Sequence, residues 1–195
     1  MALNAKSVLA ALALAATGSA FAGTIPYPNT GAENATTYTF TAAATGDLTA
    51  YFMGTGATYD ETLGVLINGV DSGVTGLENH TTAIGTALDF GPVTAGDTLT
   101  FYIDVSTTGD TWFSNQAMNG DGVNHVYSTS YAGGGAVPAG TYVGFEDLPS
   151  GGDFNYTDEQ FVFTNVASSV PEPANVALML AGVGLLGLGL RRRAR

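Results

Sequence analysis

Thr98-Leu99-Thr100-Phe101-Tyr102-Ile103-Asp104-Val105 is the stretch that decides the fold. Apolar Leu99, Phe101, Ile103 and Val105 alternate with Thr100, Tyr102 and Asp104. A period of two predicts a strand with the first set facing a core and the second facing out. Gly96-Asp97, just before it, supplies the turn that starts the strand.

The same pattern recurs on both sides. Residues 37–42 place Tyr38, Phe40 and Ala42 on one face. Leu48, Ala50 and Phe52 alternate after a Gly46-Asp47 turn. Leu63, Val65 and Ile67 follow and end at Asn68-Gly69, the strongest two-residue hairpin signal. Residues 87–90, Trp112-Phe113, 125–131, 141–145 and 160–166 bring the expectation to about nine strands. No long amphipathic helix and no internal repeat is visible. The chain reads as all-β, a single jelly-roll-like β-sandwich of two sheets. Gly133-Gly134-Gly135 reads as a flexible loop, since no helix or Lys follows to make it a phosphate cradle.

Charge narrows the function classes. The chain has five Lys and Arg, no Cys and 17 acidic residues. All five cations lie near the ends: Lys6, Arg191, Arg192, Arg193 and Arg195. Residues 23–169, the expected domain, hold 16 acids and no Lys or Arg. Such a body repels nucleic acid and anionic membrane surfaces. It has no basic side chain for phosphate and no disulfide to hold it. Its acids are either dispersed in water or gathered around a divalent cation, and hard oxygen ligands outside a cell suit calcium.

The densest acidic stretch lies between the strands at 141–145 and 160–166. Glu146, Asp147, Asp153, Asp158 and Glu159 fall within residues 144–159. Asp153, Asn155 and Asp158 offer oxygens at close spacing, Gly151 and Gly152 permit tight turns, and Glu146 and Asp147 add ligands from the preceding strand end. The candidate calcium set is therefore Glu146, Asp147, Asp153, Asn155 and Asp158. The competing reading is a solvated acidic hairpin loop. The stretch also resembles the Gly/Asp signature of the DUF4114 family through Gly144, Phe145, Glu146, Asp147, Gly151, Gly152, Asp153, Tyr156 and Asp158. Asn155 and Thr157 depart from it, standing where the signature has Asp and Asn. The resemblance implies a secreted β domain that binds calcium.

Other constellations are weaker. Asn119-Gly120-Asp121-Gly122 reads as a turn or a second oxygen loop. His80 is expected to cap a loop and His125 to lie on a strand surface. A zinc site would need both, with a carboxylate. No G-x-S-x-G elbow occurs, and scattered acids do not single out a glycosidase pair, so no catalytic residue is assigned. Trp112, with neighbouring aromatics, is either core or a platform for sugar rings.

The two ends read as addresses. Lys6, the apolar run 8–16 and Ala20-Phe21-Ala22 form a secretory signal peptide over 1–22, which implies the Sec machinery. At the other end stand Val170, Pro171, Glu172 and Pro173, then the uncharged run 174–190, then Arg191, Arg192 and Arg193. At about 1.5 Å per residue the run reaches roughly 25 Å, near the lower limit for a single transmembrane helix. The arginines are expected to stay cytoplasmic. Residues 170–195 resemble the PEP-CTERM sorting signal of Gram-negative bacteria. That resemblance implies recognition by exosortase, a transient inner-membrane anchor, and delivery to the cell surface or beyond, alongside exported polysaccharide.

Three functions are expected on these grounds. One is a non-enzymatic surface or matrix protein of the exopolysaccharide or biofilm, stabilised by calcium. The others are a calcium-assisted carbohydrate-binding module using Trp112 and a polysaccharide hydrolase.

Overall fold

The computed structural model describes residues 25–169. The signal peptide expected over 1–22 and the helix expected over 174–190 lie outside the described residues. Among the described residues no helix is long and apolar enough to cross a membrane.

The described chain is a two-sheet antiparallel sandwich. One sheet contains β1 (Thr39–Ala42), β3 (Glu61–Ile67), β4 (Val70–Asp71), β6 (Thr98–Val105), β7 (Asp110–Phe113) and β11 (Val166–Ser169). Its order is β11-β1-β6-β3-β4, with β7 also paired to β6. The other contains β2 (Gly46–Thr55), β5 (Ala87–Val93), β8 (Val126–Tyr131), β9 (Gly140–Phe145) and β10 (Glu159–Thr164), in the order β5-β2-β10-β9-β8. β6 occupies the eight residues on which the fold was read, and Asn68-Gly69 joins β3 to β4 with φ of 51° and 80°. Both residues sit in the left-handed region that a tight hairpin turn requires.

The core lies between the sheets. Leu99, Phe101, Ile103 and Val105 face Phe145, Phe161, Phe163 and Leu48. Phe101 of one sheet stacks on Phe163 of the other at 3.8 Å between ring centroids. Each such side chain, fully buried, contributes roughly 1.5–3 kcal/mol over leaving it in water. A smaller apolar group, Met53, Val137, Tyr142 and Val162, covers the outer face of the second sheet.

Three expectations need correction. The strand expected over 160–166 is two strands, because Asn165 takes a φ of 61° and turns the chain from one sheet to the other. Its side chain fixes that corner, accepting from the Ala44 N–H and donating to the Ala44 carbonyl. The winding is not that of a jelly roll: β8, β9 and β10 are consecutive neighbours within one sheet, a meander closed by two same-sheet loops. Tyr102 does lie on the outer face but is buried, because Gly64 on β3 leaves room for its ring and Asp71 accepts from its hydroxyl at 3.0 Å.

Candidate metal centre

The strands converge so that one end of the sandwich collects carboxylates. β9 ends and β10 begins there, and so does β3. Asp158 and Glu159 open β10, Glu146 and Asp147 follow β9, and Glu61 is the first residue of β3. All five are buried, Glu61 and Glu159 completely. One oxygen each from Glu146, Asp147 and Asp158 lies within 4.8 Å of the others. That spacing fits several ligands on one ion.

The loop joining β9 to β10 is bent tightly to achieve this. Ser150, Phe154 and Tyr156 adopt φ of 62°, 53° and 56°, beside Gly151 at 76° and Gly152 at 44°. Left-handed backbone at non-glycine residues costs of order 1–3 kcal/mol each and persists only where surroundings enforce it. Tyr156 is one such enforcer. Its ring is fully buried, its hydroxyl accepts from the Asn34 N–H at 2.8 Å, and it donates to the Asn124 carbonyl at 3.1 Å. Gly152 is required for space as well, since a Cβ there would sit 2.5 Å from Glu146 Oε1.

Two aromatic side chains hold the ligand-bearing backbone. Trp112 Nε1 donates to the Asp147 carbonyl at 2.7 Å, and His125 Nδ1 donates to the Glu146 carbonyl at 2.8 Å. Both nitrogens of His125 face acceptors, the second being Asp121 Oδ2 at 3.0 Å. These two contacts fix the ring between the acidic loop and the 119–122 turn. Asp121 also accepts from Ser150 N–H at 2.8 Å, which ties the 119–122 turn to the acidic loop.

Concentrating carboxylates in a buried end shifts their protonation. Burial first, then the neighbouring Asp147 and Glu159 carboxylates, push Glu61 up to about 11. Burial and the Asp158 charge raise Glu146 to about 9. Burial and Asp147 raise Asp158 to about 6. Burial lifts Glu159 well above the usual carboxylate range. Five carboxyl oxygens receive no hydrogen bond: both of Glu61, both of Glu159 and Oε1 of Glu146. Buried acceptors without donors are costly. The domain has no Lys or Arg to pair with them.

The expected ligand set therefore divides. Glu146, Asp147 and Asp158 come together. Asp153 and Asn155 turn onto each other instead, Asn155 donating from N and Nδ2 to the two Asp153 oxygens at 3.0 and 2.8 Å. Asn155 reaches the centre only through its backbone N–H, 3.2 Å from Glu146 Oε2. Glu159 stands next to Asp158 in the acidic stretch but outside the expected set, and Glu61 comes from β3, 98 positions earlier in the chain.

Other expected sites resolve as follows. His125 is fully buried rather than on a strand surface, because its ring fills the space between Trp112 and the acidic loop. Trp112 is only 6% exposed, so it offers no open ring face to a sugar. The oxygens of Asn119 and Asp121 are committed to backbone and His125 donors, as in a plain turn. His80 pairs with Asp60 at 2.9 Å, and with Glu78 they form an exposed group already hydrogen-bonded within its own loop. His80 and His125 keep separate partners and form no common site.

The carboxylate cluster lies at one end of the sandwich, and the last described strand is β11. No curated protein and no solved structure matches the chain significantly. Ser169, the last rung of β11, is also the first residue of a recognised segment: residues 169–193, with Val170, Pro171, Glu172, Pro173 and Arg191 to Arg193 inside them, match the family model of the PEP-CTERM protein-sorting motif, a signal that implies export and exosortase processing.

Proposed function

We propose that this chain is an exported, non-enzymatic protein of the cell surface or extracellular matrix, associated with exported polysaccharide, whose sandwich is closed at its acidic end by calcium on Glu146, Asp147 and Asp158. In this reading the Sec machinery exports residues 23–169, the segment 174–190 anchors them transiently, and the arginines remain cytoplasmic until exosortase acts. The observation that carries the calcium assignment is the convergence of three buried carboxylates in a domain that has no Lys or Arg to neutralise them. Calcium accepts six to eight oxygens in irregular geometry, which suits carboxylates delivered by a bent loop and two strand ends. The resemblance of residues 144–158 to a calcium-associated Gly/Asp signature agrees with it. The ion's role is structural: it neutralises the cluster and fixes the β9–β10 loop. The non-enzymatic reading is supported by Trp112 and His125, which are buried and hold backbone carbonyls rather than facing a cleft.

Thermal melting of the purified chain in calcium and in chelator tests the proposal. Calcium at 100 times Kd is expected to add about 2.7 kcal/mol. Superimposable melting curves would remove the ion from this account.

A further inference from the structure

Glu61 and Glu159 stand apart from the three ligands assigned above. Glu61 is in phase with Leu63 and Val65 along β3, and Glu159 with Phe161 and Phe163 along β10. Both therefore occupy inward-facing core positions, one from each sheet, in the layer that ends the apolar interior. Both are completely buried, and none of their four carboxylate oxygens accepts a hydrogen bond. Apolar side chains would fill those two positions at lower cost, so the carboxylates call for a partner.

Protonation does not supply one. Neither oxygen of Glu61 has a hydrogen-bond partner. A proton on Glu159 would be a buried donor facing no acceptor, exchanging one unsatisfied group for another. One divalent ion does not supply it either. Glu61, Glu146, Asp147, Asp158 and Glu159 carry five negative charges when ionised, and a single divalent ion balances two. His125 is already engaged with Asp121 and a backbone carbonyl. A second divalent ion brings the balance to four of five. A pocket of about 330 Å³ lined by Gly56, Ala57, Tyr59, Asp147, Leu148 and Asp158 opens this end to solvent and gives ions a way in.

Building on the calcium reading above, we propose that Glu61 and Glu159 hold a second divalent hard cation beside the first, so that a pair of ions ties the two sheets together across the end of the sandwich. The first ion fixes a loop within one sheet. The second joins β3 to β10, strands that share no backbone ladder.

Calcium stoichiometry of the full chain, by equilibrium dialysis or titration calorimetry, tests this. The unaltered chain is expected to bind two calcium ions. E61Q/E159Q, which keeps shape and removes both charges, is expected to bind one. Terbium luminescence sensitised through Trp112, the sole tryptophan and hydrogen-bonded to the Asp147 backbone, is expected to persist in that variant because the first site is intact. Saturation of the unaltered chain at one calcium overturns the second site and leaves the first standing, with no variant needed. Two ions retained by E61Q/E159Q would show that these glutamates are not ligands. No calcium at all would overturn the first reading together with this one.

Discussion

The indole of Trp112 lies flat on the imidazole of His125, with ring centroids 3.9 Å apart and planes 4° from parallel. Each ring sends one N–H to a carbonyl of the Glu146-Asp147 pair. The stack thus acts as a two-pronged support under consecutive residues of the carboxylate cluster, with Asp121 holding the far edge of the imidazole. Stacking of imidazole on indole adds to the burial of both.

Replacing the indole by a ring without a donor isolates the hydrogen bond. Trp112→Phe keeps an aromatic face against His125 and leaves the Asp147 carbonyl buried without its partner. A loss of about 1–3 kcal/mol is expected in urea unfolding. Calcium affinity should fall with it, since Asp147 is no longer held. An unchanged midpoint and affinity would mean that the prong does not support the site.

The raised carboxyls set the sign of the pH dependence in chelator. Glu146 and Asp158 rise in the folded state from 4.5 and 3.8 to about 9 and about 6, and Glu61 to about 11. Between the unfolded and folded values the native chain binds more protons, so stability falls as pH rises. The contribution is complete below about pH 4, erodes through about 6 as Asp158 ionises, and erodes further toward about 9 with Glu146. Melting temperature in chelator should therefore be higher at pH 5 than at pH 8. Saturating calcium should flatten or reverse that slope. A chelated chain that melts higher at pH 8 would contradict the burial of these groups.

Gly152 lies against the centre. Its φ is 44°, and a Cβ would fall 2.5 Å from Glu146 Oε1 and within 2.8 Å of Leu148. Gly152→Ala should destabilise the metal-free chain by about 1 kcal/mol through backbone strain. It should also weaken calcium binding at least tenfold by displacing the Glu146 carboxylate. Calorimetric titration of the variant separates the two effects.

Gly64 and Tyr102 are expected to be coupled. A Cβ on Gly64 would meet the Tyr102 ring at 2.2 Å and dislodge it from Asp71. Gly64→Ala should cost about 1–3 kcal/mol as overpacking. The cost should largely vanish in a Tyr102→Ala background, where the space is free. A double-mutant cycle with additive effects would show that the ring moves aside without loss.

The regular parts of this architecture could be read from alternation alone. β6 and the Asn68-Gly69 hairpin follow from side-chain period and turn chemistry, which are local. The corner at Asn165 could not, because left-handed backbone at Asn is one option among several until Ala44 supplies its two partners. The centre was half legible. Glu146, Asp147 and Asp158 are close in sequence, but the direction in which Asp153 and Asn155 turn depends on their mutual hydrogen bonds. Glu61 and Glu159 carried a usable signal in their phase. Each sits two residues before a core apolar residue on its own strand, where a solvated acid is out of place. His125 gave no such signal, because its burial depends on the tertiary stack with Trp112.

β11 is an edge strand, paired on one side only, and its last rung, Ser169 opposite Thr39, coincides with the first residue of the sorting motif. In sequence, body and tag adjoin. An enzyme that grips the tag must approach to within a residue or two of the folded surface. Any pull on the tail is transmitted straight to the β1–β11 rungs, and these would peel one at a time from an outer margin before the interior layers felt the load.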